Sequence, residues 1–259
     1  MRLYKLLALL FLELRVLSRT KWKLAEYFYF PLTTIMIWGF FALYASSFAA
    51  EAGLVILIVN VYWNFSLVNQ SSTNQAINVD NWSGSMKEMF MSGITHFEYI
   101  TAKIIFSIIL SAIVLAVMLG LALGFGFTLL FSFPGELILL ALGALIAAIA
   151  LALLVAGGGI LVGREYDFFA WSALQAFILF SAPFFPVSSL PPIMQSIAVV
   201  MPYTAVFEGL RAIVTTGTLP LSLALRSIAL PIVYLLLMIP FYHFSFRRGQ
   251  KTGELVRMD

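Results

Sequence analysis

The chain has no cysteine, so disulfide frameworks, thiolate metal sites, thiol nucleophiles and iron–sulfur clusters are excluded. Charge is scarce as well: only 10% of the 259 residues are Asp, Glu, Lys or Arg, against about 25% in an average soluble domain. Histidine occurs twice, at His96 and His243, far apart in sequence and each near the end of an apolar stretch, which suits an interfacial polar tip better than a metal ligand. The motifs of catalysis are missing too: there is no G-x-x-x-x-G-K-[ST] loop to cradle a nucleotide, no G-x-S-x-G elbow and no H-E-x-x-H pair. No ionisable residue falls near the middle of an apolar span; Glu26, Glu136, Asp167 and Arg226 sit at span ends. A charge at mid-membrane costs about 2.5–3.5 kcal/mol on insertion scales and persists where function needs it. Its absence speaks against an ion-coupled carrier and against an intramembrane hydrolase.

What the chain has in excess is hydrocarbon. Hydrophobic residues make up 62% of the sequence, beyond what a soluble domain can bury. Since roughly 20 apolar residues cross a bilayer core, six spans are predicted, at about 27–49, 52–70, 103–125, 137–162, 168–187 and 221–246. The expected fold is therefore an all-α integral membrane protein, with residues 27–259 forming one six-span domain. Tyr27, Tyr29, Trp38, Tyr44, Tyr234 and Tyr242 supply interfacial aromatics.

Residues 1–26 begin like a signal peptide, but Glu13 and Arg15 interrupt the apolar run and no small-residue cleavage site follows. Leu3, Leu6, Leu7, Leu10, Leu14 and Leu17 instead repeat at helical spacing, with Arg2, Lys5, Glu13, Arg15 and Arg19 opposite. That pattern predicts an amphipathic helix lying in the interface, although Leu9, Leu12 and Val16 fall on its polar side. Residues 188–220 are too polar and proline-broken to cross and too apolar for a free loop. Pro191, Pro192 and Pro202 divide them into two half-helices, a re-entrant hairpin between the fifth and sixth spans.

Thirteen of the fifteen Lys and Arg residues fall on one side of this topology, with Arg211 and Arg226 on the other. The positive-inside rule then puts both termini, the 71–102 loop and the 164–167 turn in the cytoplasm of a cell membrane. Topology accounts for the basic residues, so no nucleic-acid partner is expected.

Uncharged polarity remains inside the spans. Asn60, Asn64 and Ser71 follow one another along the second span beside Trp63; the fifth carries Ser172, Gln175 and Ser181 near Trp171, Phe177, Phe180, Phe184 and Phe185. These residues either bond helix to helix or line a pathway for an amphiphile or sugar chain. The small residues Gly143, Ala147, Ala152, Ala156 and Gly157 to Gly159 in the fourth span permit close helix approach, read as packing inside one bundle in preference to a dimer seam. In the cytoplasmic segment, Met86, Met89, Phe90, Gly93 and Phe97 share one face of a short helix, with Lys87, Glu88 and Ser92 on the other. Such a helix rests on lipid or docks into a protein groove.

Together, the amphipathic N-terminus, the six spans, the stretch from Asp80 through Gly84 to Phe90, and the outer series Pro191, Pro202, Glu208 and Arg211 resemble the permease subunits of type-2 ABC exporters. The resemblance covers nearly the whole chain. It implies export of an amphiphilic drug, lipid or lipid-linked polysaccharide, driven by a separate ATPase subunit that holds ATP and Mg, with no cofactor in this chain. It also implies a second permease subunit, a pathway lined by the first, second and fifth spans, and docking to the ATPase through Asp80, Gly84, Met86, Lys87, Glu88, Met89, Phe90 and Gly93. Pathway residues would be Asn60, Trp63, Asn64, Trp171, Gln175, Phe180 and Phe184. The rival is a membrane bundle that works without an ATPase, either scramblase-like or an intramembrane enzyme.

Overall fold

The computed structural model describes residues 2–126, 132–162, 173, 176, 177 and 179–252. The described residues are helical or irregular, with no strand among them. The long helices follow from long apolar runs, which stay helical through Pro31 in the first and several glycines in the last: α2 (Lys21–Ser46), α3 (Ala50–Trp82), α5 (His96–Gly124) and α6 (Pro134–Val162), preceded by α1 (Leu3–Arg19) and interrupted by the short α4 (Ser85–Met91). After the fifth-span region come α7 (Pro192–Val200), α8 (Thr204–Thr216) and α9 (Leu221–Thr252). Among the described residues, five helices are long and apolar enough to cross a membrane, one each in α2, α3, α5, α6 and α9, and α7 with α8 form a pair bent by 98° that counts as a sixth if it is one span. Of the predicted fifth span, residues 168–172, 174, 175 and 178 lie outside the described residues.

Two expectations about the connecting segments are corrected. The 71–102 stretch is not a long loop: α3 runs unbroken to Trp82 and α5 begins at His96, leaving only Ser83 to Thr95 as the connection. The polar residues that suggested a loop are used between helices. Asn69, Ser72 and Thr73 are fully buried; the Asn69 amide donates to the Ser107 and Ser111 hydroxyls, each at 3.3 Å, and Thr73 donates to Ser107 at 2.8 Å. The polar groups meet each other, so the helix has no reason to end where hydropathy falls.

The second correction concerns α1. It packs through Leu6 and Leu9 onto Ala102, Met89, Ile94 and Ile105, while Leu3, Leu7 and Leu14 face outward. Leu9, assigned to the polar side by the leucine stripe, is buried, and Glu13 turns inward beside it in the i, i+3, i+7 series from Leu6. The contact face follows the neighbouring helix, and the apolar stripe is left for the bilayer surface.

The core forms where α3 meets α2, α5, α6 and α8. The small-residue face of α6 packs against α9: a Cβ on Gly143 would stand 2.2 Å from the Ser227 carbonyl oxygen, and one on Gly157 would meet the Phe241 ring at 2.9 Å. These glycines let two backbones touch, the intramolecular use expected of them. The hairpin sits at the end of the bundle opposite α4, where Gly209 of α8 abuts Leu140 of α6.

Candidate functional site

The chemistry in this bundle gathers behind α4. Gly84 at φ 73° and Gly93 at φ 82° bracket the helix in the left-handed region that side-chain-bearing residues rarely enter. These turns fold α4 back on the ends of α3, α5 and α9. Met86 is buried with Ile77, Tyr99, Ile100, Tyr242 and Phe246, and the Phe90 ring lies 5.5 Å from Tyr99 and 5.1 Å from Phe246. The Met and Phe face predicted to dock elsewhere thus packs on the chain's own helices. Lys87, Glu88, Met91 and Ser92 point outward, with Met91 78% exposed.

Beneath α4 lies a buried ionic cluster. Lys103, 2% exposed, pairs with both Asp80 and Glu13, whose side chains are each 11% exposed. The Tyr99 hydroxyl donates to Asp80 Oδ2 at 2.8 Å and the Ser85 hydroxyl to Oδ1 at 3.2 Å. The ammonium also stands 5.1 Å from the Tyr99 ring centroid, a cation–π contact. One lysine therefore ties together α1 through Glu13, α3 through Asp80, and α4 through Ser85 on that aspartate. Burial of charge is tolerable only with such dense pairing. Asp80, expected at a partner interface, is an internal hub.

A second tie lies at the start of α5. Thr95 and Glu98 form a capping box, the Thr95 hydroxyl accepting from the Glu98 N–H at 3.2 Å and Glu98 Oε2 from the Thr95 N–H at 3.1 Å. Glu98 also accepts from the Arg2 backbone at 2.9 Å and lies 4.0 Å from Lys5, which donates to the Gly93 carbonyl at 2.6 Å. The N-terminal helix is thereby fastened to the end of the α4 connection that leads into α5.

The described pathway candidates sit at separate helix contacts. Asn60 and Asn64 are each 1% exposed; Asn64 donates to the Asn60 carbonyl at 2.9 Å and accepts from the Thr34 hydroxyl of α2 at 3.1 Å. Trp63 faces the hairpin, 6.4 Å from Tyr203 and 6.5 Å from Phe207 between ring centroids. Phe184 stacks on Trp38 of α2 at 5.0 Å and Phe180 is half-buried. Trp171 and Gln175 lie outside the described residues.

The outer series acts as a clamp. Pro191 precedes α7 and Pro202 falls in the break between α7 and α8, where neither can donate a helical hydrogen bond. Glu208 accepts from the Val187 N–H at 2.9 Å and pairs with Arg211 at 2.8 Å. Arg211 donates to the carbonyls of Ala182, Pro183 and Phe185 at 3.4, 3.1 and 2.9 Å. Both charges are thus spent holding the segment that enters the hairpin.

Sequence reasoning missed Glu13, Tyr99 and Lys103. A carboxylate inside a leucine-rich amphipathic helix and a lysine at the head of a span were the available signals. It also treated His96 and His243 as unrelated, whereas the fold brings Nε2 of one within 2.7 Å of Nδ1 of the other.

These features define an all-helical multi-pass membrane protein. No protein-family model matches the chain, and no curated protein matches it by sequence.

Proposed function

We propose that this chain is the transmembrane permease subunit of an ATP-driven exporter, moving an amphiphilic drug, lipid or lipid-linked polysaccharide. The reading rests on one observation above all: α4 is a short helix whose inner face is fixed to α1, α3, α5 and α9 while Lys87, Glu88 and Met91 face outward. A push on that outer face would reach three long helices through contacts already made. In this reading a separate ATPase subunit holds ATP and Mg, docks α4 on the cytoplasmic side, and closes on nucleotide to shift the spans. Both termini are cytoplasmic, the membrane is the cell membrane, and two permease copies flank the route. The sequence resemblance, the scarcity of charge within the spans and the missing nucleotide loop all favour a gate driven by another subunit.

The docking face differs from the one expected from sequence. Met86, Met89 and Phe90 serve the bundle, and Lys87, Glu88 and Met91 would meet the partner. The test is co-purification from native membranes: the tagged chain should retain a soluble subunit bearing G-x-x-x-x-G-K-[ST]. The double variant Lys87→Glu, Met91→Asp should lose that subunit while its own melting temperature stays within about 2 °C, since surface changes cost little. Solute movement by the purified chain alone would overturn the proposal in favour of an ATPase-independent bundle.

A further inference from the structure

A cavity of about 400 Å³ opens beside α4, lined by Phe90, Ile94, Thr95, His96, Phe246 and Gln250 among others. Its walls are chiefly aromatic and aliphatic. At its edge His96 Nε2 and His243 Nδ1 share a hydrogen bond at 2.7 Å. Phe97 stacks on His243 at 5.4 Å and Phe246 on His96 at 4.9 Å. That bond uses one nitrogen from each imidazole and leaves His96 Nδ1 and His243 Nε2 outside it.

On the α9 side of this cavity the charge of the described residues has one sign. Arg247 is exposed, lies one turn beyond His243 on the same face of α9, and is close enough for its charge to act on His96. Along its whole length α9 carries no Asp or Glu, and it finishes with Arg247, Arg248 and Lys251. Glu98, the carboxylate of the neighbouring helix end, is engaged by Arg2, Lys5 and Thr95. Large apolar side chains are exposed on the two helices that line it: Phe97 of α5, in the cavity wall, is 43% exposed, and Phe244 of α9 is 58% exposed.

A small soluble anion would leave the aromatic walls uncovered, and a neutral amphiphile would leave the Arg247 guanidinium, which has no ion pair among the described residues, without a counter-charge. An amphiphile with an anionic head satisfies both, and phospholipid is the one that a helix end at the bilayer edge meets in abundance. We propose that this cavity is an anionic-phospholipid site. The head-group phosphate rests against Arg247 and the imidazole edge, and the acyl chains run along Phe97 and Phe244. Because Phe90 of α4 forms one wall, the bound lipid adds packing behind that helix. The assignment stands whether or not the chain has an ATPase partner.

Native mass spectrometry of the full chain, titrated with phosphatidylglycerol and with phosphatidylcholine, tests it. The wild type should retain the first about tenfold more tightly, the scale of one charge-assisted contact. Arg247→Ala and His243→Phe, which keeps the ring stack, should bring the ratio close to one, while Arg248→Ala should leave it unchanged. Equal retention of the two lipids by the wild type would overturn the proposal, as would an unchanged ratio in Arg247→Ala or an equal loss in Arg248→Ala. Full competition by glycerol 1-phosphate would mark a soluble-anion site and overturn the lipid assignment.

Discussion

Replacing Lys103 by Met would remove the cation that pairs with both carboxylates of the buried cluster and leave the two facing each other. For N–O separations of about 3 Å and an effective dielectric near 20, each attraction amounts to about 5 kcal/mol before desolvation. Desolvation of the three groups cancels much of this, so the intact cluster contributes little net stability. Breaking it is another matter: the uncompensated charges should cost about 3–5 kcal/mol, or roughly 6–20 °C in melting temperature for a chain of this size. Tyr99 and Ser85 support Asp80 but supply no charge. Adding Asp80→Asn to Lys103→Met removes one stranded carboxylate and should recover at least about 2 kcal/mol. The assay is reversible unfolding in mixed micelles, with the four variants of the cycle run side by side. A loss below about 1 kcal/mol in the single variant, or a second substitution that adds to the loss, would refute the cluster as a paired unit.

Two further outcomes follow from close contacts. Gly143→Ala should lower stability by about 1–3 kcal/mol through overpacking, because its Cβ would collide with the Ser227 carbonyl, whereas Gly120→Ala, with nothing within 4 Å, should be neutral or stabilising; thermal denaturation of both decides it. Arg211→Gln should release the carbonyls of Ala182, Pro183 and Phe185 and raise amide exchange from Ala182 to Val187, at a stability cost of about 1.5–3 kcal/mol for charged hydrogen bonds. Unchanged exchange there would remove the clamp.

The spans were legible because hydropathy over 20 residues reports the solvent around a helix whatever its neighbours are. The end of α3 was not, because Asn69 and Thr73 look solvated until Ser107 and Ser111 are placed opposite them. A local device such as the box of Thr95 and Glu98 is written in its spacing, and the left-handed glycines around α4 are at least visible as glycines. The amphipathic helices exposed the limit more sharply. Periodicity showed that α1 and α4 each have an apolar face, yet it cannot say whether that face meets lipid, a partner or the same chain. For Met86 and Phe90 it was the same chain. Likewise Glu208 and Arg211 are readable as an i, i+3 pair, but the backbone N–H and carbonyls they hold lie more than twenty residues earlier.

The unbroken length of α3 gives it mechanical leverage. Its 33 residues make a rod of about 50 Å at 1.5 Å per residue. A 10° tilt about its midpoint would sweep each tip through about 4 Å. Trp63, less than halfway along, lies near the fulcrum, while Asp80 rides the tip. Small displacements beside α4 would therefore become rotation, more than translation, at the ring that touches the hairpin.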